Sequence, residues 1–245
     1  MTSWPVLLIV ECRKATDTRG ARWLFGVVAL LGVVSCLLSE PASASLEDFV
    51  GGAVLPLVAV MPVLAVIIST NDYSTRFAVV TFALVPRRMR VLTARLAATV
   101  VVVVATALAS ALLAVVAFWA VHFPALPSTD IVATSRAVAS VSGVALAASL
   151  FGAGVGSLIR NTPVAVAITL LVPLSFDITM VLIAPAVAPW VSALAFSAWL
   201  SEPTLHMASS PDGAPGISAA AASFGLWTVL PLVTGWWWQS RRDLT

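Results

Sequence analysis

At 245 residues the chain is 60% hydrophobic and only 10% charged, with a mean hydropathy of +1.03 and a net charge of +2. Soluble domains carry about 25% charged residues, so the composition excludes one and specifies an integral membrane protein. Two cysteines, two histidines and the lack of a Walker A loop, a GxSxG or an HExxH leave no visible catalytic residue, metal-ligating cluster or nucleotide site in the chain.

Residues 4–20 join an apolar stretch, Trp4 to Val10, to a charged one, Glu11 to Arg19. This segment is too short and too charged to span, and it reads as an N-terminal helix lying in the membrane interface. Arg13, Lys14, Arg19 and Arg22 ahead of an apolar run, with Ala42-Ser43-Ala44 behind it, also fit a cleaved signal peptide. The polar preface is long for such a leader, so residues 1–44 are expected to be retained.

Six apolar runs follow, at about 23–39, 50–69, 92–120, 137–158, 163–188 and 218–237. Helices of about 20 residues cross the hydrocarbon layer, so the expected fold is all-α, a single transmembrane domain over residues 1–245 with six spans. The third and fifth runs exceed the bilayer and must tilt or extend past it. Pro56 and Pro62 fall inside the second run, Pro173 and Pro185 inside the fifth, and Pro231 inside the sixth, where each is expected to kink its helix. The fourth run ends in Gly152-Ala153-Gly154-Val155-Gly156. Small residues at that spacing permit close helix packing, although the pattern arises readily by chance in Ala/Gly-rich spans.

Asp177 lies near the middle of the fifth run. A carboxylate in hydrocarbon must face protein or water. Two readings stand side by side: a polar point on a transport path or subunit interface, or a protonated acid hydrogen-bonded to backbone or to a hydroxyl such as that of Ser175 or Thr179.

The basic residues set the orientation. With both termini in the cytoplasm, twelve of the 13 Lys and Arg face inward and only Arg136 faces out, as the positive-inside rule requires. The 189–217 segment is then an outer loop, and its apolar part, 191–200, reads as one or two short helices in the outer leaflet before span six. Cys12 and Cys36 fall on opposite sides of the bilayer centre, which disfavours a disulfide between them.

The stretch Ser69 to Arg95 holds Arg76, Arg87, Arg88, Arg90 and Arg95. Tyr73, Phe77, Val80 and Leu84 recur on one narrow helical face, with Asn71, Asp72, Ser74, Thr75 and Arg76 off it. Pro86 ends that helix, and Arg87, Arg88 and Arg90 fall at headgroup level. Residues 70–85 therefore read as a helix flat on the cytoplasmic surface, with Phe77 and Phe82 pointing in nearly opposite directions.

The ordered combination resembles the permease subunits of ABC type-2 exporters. Asn71-Asp72-Tyr73-Ser74-Thr75-Arg76 followed by Pro86-Arg87-Arg88 is similar to that family's acid-Tyr, Thr/Arg and Pro-Arg-Arg stretch, with Asp72 where a Glu is expected and an altered spacing. Gly156-Ser157-Leu158-Ile159-Arg160-Asn161-Thr162 is similar to its Gly, Arg-Asn-Thr turn between spans four and five. The resemblance implies a pair of permeases, identical or different, on two separate ABC ATPase subunits. It makes the flat helix a coupling helix, with Asp72, Tyr73, Thr75, Arg76, Phe77 and Phe82 seated in an ATPase groove. ATP and Mg would bind the partner ATPase, with no cofactor in this chain and no nucleic-acid partner. Spans one, two and five would line the permease interface, and the cargo would be an amphiphile crossing the plasma (inner) membrane. The alternatives are a membrane protein outside that family: an ion-coupled transporter, which needs several intramembrane acids, a membrane enzyme, which needs clustered polar residues, or a scaffold or sensor without transport.

Overall fold

The computed structural model describes residues 4–38, 45–74, 88–122, 129–159, 161–205 and 216–241. Every regular element among them is helical: α1 Trp4–Asp17, α2 Arg19–Leu38, α3 Leu46–Val54, α4 Leu57–Ser74, α5 Arg88–His122, α6 Ile131–Ile159, α7 Thr162–Ile183, α8 Ala188–Val191, α9 Ala195–Leu205, α10 Ile217–Phe224 and α11 Leu230–Arg241. A π-helical turn, Gly225–Val229, joins the last two. Six stretches are long and apolar enough to cross a membrane: Arg19–Leu38, Leu46–Asn71, Met89–Val121, Ile131–Ile159, Thr162–Ile183 and Ile217–Gln239. The chain is thus a multi-pass helical membrane protein, and each expected run coincides with one of these stretches.

Helix boundaries follow local chemistry. Ser45 caps α3 by accepting the Asp48 N–H, and its hydroxyl also reaches the Asp48 carboxylate. Asp130 caps α6 through the N–H groups of Val132 and Ala133. Asn161 caps α7 through the N–H of Val164, with Pro163 in the first turn, where it costs no bond. The prolines inside the expected spans act in different ways. Pro62 and Pro173 sit inside continuous helices. Pro56 separates α3 from α4, and the ladder resumes when the Val60 N–H reaches the Pro56 carbonyl. Pro185 does not kink the fifth span, contrary to expectation: α7 closes at Ile183, and Ala184 adopts φ −140° and ψ 65°, because a residue before proline is driven out of the α region.

Pro231 is accommodated by the π-helical turn. The Leu230 N–H donates to the Gly225 carbonyl, five residues back. Proline brings no N–H and its ring presses on the carbonyl four residues earlier. A widened turn just before it relieves that crowding.

The bundle is organised around α4 and α6. Val50, Val54, Leu57, Met61 and Leu64 pack with Val103 and Phe118 of α5 and Val141 and Ala145 of α6 in one core, and the Phe49 and Phe118 rings meet edge to face at 5.5 Å. The three glycines at the end of α6 serve two neighbours. A Cβ on Gly152 would lie 2.5 Å from the Pro62 carbonyl oxygen, and one on Gly156 would lie 3.0 Å from Ser69 Cβ, both on α4. A Cβ on Gly154 would lie 2.7 Å from the Pro231 carbonyl carbon of α11. Residues two apart on a helix point to opposite sides and residues four apart share one, so α6 is wedged between α4 and α11 at backbone contact. By contrast α2, α5 and α7 carry long exposed apolar rows. Of the three spans implied to face a second permease, α2 and α7 offer a wide apolar face, whereas α4 is enclosed by its own chain.

No glycine or proline intervenes between Pro62 and Ser74, and α4 runs on to Ser74. Residues 70–74 thus continue α4, the helix of the second span. The remainder of the expected flat helix, including Thr75, Arg76, Phe77 and Phe82, lies outside the described residues, as do Arg87, Ala42-Ser43-Ala44 and Arg160.

Candidate functional site

Two polar constructions stand out in an otherwise apolar molecule, one at each end of the bundle. The first joins α1 to the helices on either side of residues 75–87. Glu11 is 5% exposed and Arg95 is 4% exposed. The Glu11 carboxylate takes Lys14 Nζ at 3.0 Å on one oxygen and faces Arg95 Nε at 3.6 Å with the other. The Arg95 guanidinium also donates to the Ser69 carbonyl of α4 at 3.3 Å. One arginine thus ties α1, α4 and α5 together.

The same end is held by hydroxyl and amide contacts. The Thr70 and Thr162 hydroxyls meet at 2.7 Å, linking α4 to the start of α7. Gln239 Nε2 donates to the Ser157 carbonyl at 2.9 Å, linking α11 to the end of α6. The Gly156-to-Thr162 stretch therefore has a structural account: Gly156 lets α6 touch α4, Asn161 caps α7 and Thr162 bonds back to α4. The N-terminal helix and the end of α11 lie at one end of the bundle, with Arg13, Lys14, Arg19, Arg22, Arg90 and Arg95 on the same side. Arg90 is half-buried near the start of α5, while Asp72, Tyr73 and Arg88 are placed as backbone in α4 and α5. The Cys12 thiol, next to Glu11 in the chain, is pushed above its ordinary value by burial and by the Glu11 carboxylate. Cys12 and Cys36 are both free thiols.

The second construction is Asp177, which is 7% exposed. Its two oxygens accept the backbone N–H groups of Ala193 at 2.8 Å and Leu194 at 3.1 Å. Ser175 and Thr179, the expected hydroxyl partners, instead bond to carbonyls of their own helix, Val172 and Ser175. Asp177 lies about 9 Å along α7 from its Ile183 end, at 1.5 Å per residue. The α8–α9 segment therefore turns back into the bundle to that depth. A carboxylate at the start of α9 also suits the positive end of the helix dipole. Trp227 Nε1 donates to the Val191 carbonyl at 2.7 Å, and the Phe196 N–H reaches Ser223 Oγ at 3.4 Å. The re-entrant segment is thus pinned from α7 on one side and from the sixth span on the other.

Sequence reasoning flagged Asp177 and found its backbone option, but not its partners. In the sequence Glu11 is one charge among several in α1, and Arg95 one arginine among five in its stretch. Trp227 was not singled out. An indole in the middle of a span is a signal, because its N–H needs an acceptor there. Among the described residues, no three of His, Cys, Asp and Glu converge on one point. No family model, curated protein or solved structure matches the chain.

Proposed function

We propose that this chain is the permease subunit of an ATP-driven ABC-type exporter that moves an amphiphilic or hydrophobic cargo out of the cytoplasm or the inner leaflet. The observation that carries this reading is the Glu11–Arg95–Ser69 tie. Residues 75–87 connect α4 to α5, and Arg95 fastens those two helices to each other and to α1. A partner pressing on that connection would act on three helices as one body, including α4 at the centre of the core. The interfacial α1, the coupling role of residues 70–85 and the outer-leaflet position of α8 and α9 belong to this proposal. So does the cytoplasmic placement of both termini, supported by the basic residues gathered at the α1 end.

Energy then enters through a surface, because the sequence offers no nucleotide site. Asp72, Tyr73, Thr75, Arg76, Phe77 and Phe82 would meet the ATPase, with Arg87, Arg88 and Arg90 at the headgroups. An ion-coupled carrier fits less well, since it needs several intramembrane acids and, among the described residues, Asp177 is the one acid well inside a span. The test is co-purification of an ATPase from native membranes, followed by ATP hydrolysis in the reconstituted complex. Purification with no ATPase under conditions that preserve the complex would contradict the reading.

A further inference from the structure

Between α4, α6, α7, the turn at Ala193–Leu194 and the π-helical turn lies a cavity of about 260 Å³. Phe151, Phe196, Phe224 and Trp227 line it. Their rings are held in place: Trp227 meets Phe151 edge to face at 5.7 Å, and Phe196 stands 4.9 Å from Phe224. Trp227 is fixed further by its hydrogen bond to Val191. Most of the remaining wall is aliphatic. Leu170 and Leu174 belong to it and are 43% and 55% exposed, so the cavity opens beside α7.

Asp177 is the one formally charged side chain in this wall, and no Lys, Arg or His accompanies it. Each of its oxygens takes one backbone N–H and keeps a further lone pair. Aromatic faces attract a cation through the ring quadrupole, most strongly where water is excluded. A single carboxylate in a low-dielectric wall favours the same sign of guest. The aliphatic surface takes an apolar body. A free anion meets repulsion here, and a neutral hydrocarbon gains only the apolar contacts.

We propose that this cavity binds a small hydrophobic cation, an aryl- or alkylammonium. That such a cation is the exporter's cargo rests on the function proposed above; the binding itself requires no ATPase. The probe is radiolabelled phenyltrimethylammonium, measured by equilibrium dialysis against the full purified chain in lipid nanodiscs. Saturable binding is expected, displaced by the unlabelled cation and not by benzenesulfonate. Asp177→Asn should weaken it about tenfold, because it removes the charge attraction of the carboxylate and leaves the aromatic wall in place. Ala148→Phe fills the cavity from the α6 side while leaving Asp177 and its backbone partners in place, and should abolish binding. Absence of saturable binding to the wild-type chain overturns the proposal. So does equal binding by both variants, or equal competition by benzenesulfonate. None of these results bears on the ATPase partnership, and cation binding by a chain that recruits no ATPase would sink the exporter reading alone.

Discussion

Gly152→Ala adds one methyl group at the tightest contact between the two central helices. The new Cβ would lie 2.5 Å from the Pro62 carbonyl oxygen and 3.2 and 3.3 Å from the carbonyl carbon and Cα of the same residue. All three are backbone atoms, so no side chain can swing aside. Ordinary contact begins at 3.4 Å, and α4 and α6 must therefore part by about 0.9 Å. A gap of that size forfeits about a quarter to a half of each dispersion contact it opens. Overpacking of this kind costs about 1–3 kcal/mol. Gly26→Ala is the matched control, because nothing lies within 4 Å of its Cβ. It should be neutral or stabilising by about 0.5–1 kcal/mol, through helix propensity alone. Reversible unfolding in mixed micelles gives both values. Gly152→Ala matching the stability of Gly26→Ala would refute the backbone contact and with it the placement of α6 against α4.

Three further outcomes follow from the polar constructions. Asp177→Leu leaves the Ala193 N–H without an acceptor, whereas the Leu194 N–H retains Ser192 Oγ at 3.1 Å. It should cost about 1–3 kcal/mol and raise proteolysis in the 189–217 segment, while Asp177→Asn keeps one acceptor and recovers most of the loss. Glu11→Ala removes the carboxylate that faces Lys14 and the buried Arg95 and should cost about 3–5 kcal/mol; a double-mutant cycle with Arg95→Met that shows no coupling would rule out the pair. The raised Cys12 thiol should react with maleimide more slowly than a free thiol at neutral pH, and speed up as pH rises through its displaced titration; labelling of a Cys36→Ser variant at the rate of a free thiol would contradict that environment.

The spans were legible because hydrocarbon imposes a length on apolar runs, and all six were found from that length. Their ends were less so. Pro185 lay inside an apolar run, and only the closure of α7 at Ile183 shows that hydrophobicity continued past the helix. The end of α4 was read early, since Ser69 to Ser74 is polar; the buried Ser69 and Thr70 keep that turn inside the protein. The Gly152-to-Gly156 pattern carried little weight in isolation, because only tertiary structure shows that α4 and α11 both press on it. The Glu11–Arg95 pair joins residues far apart in the chain and has no local signature. Asp177 is visible as an acid inside an apolar run, but that context allows a backbone partner without naming Ala193 and Leu194.

The most direct test of the transport account is the effect of Phe77→Ala and Phe82→Ala, made together, on a complex purified from native membranes and reconstituted in liposomes. Pull-down of an ATPase and its stimulation by cargo are measured on the same sample. Truncating a buried aromatic costs about 3–5 kcal/mol, enough to uncouple a small interface, so the double variant should lose the ATPase or its stimulation. Arg76→Ala removes at most a rim ion pair worth about 1 kcal/mol or less and should only weaken both. Full recovery of the ATPase with normal stimulation in the double variant would contradict coupling through residues 70–85.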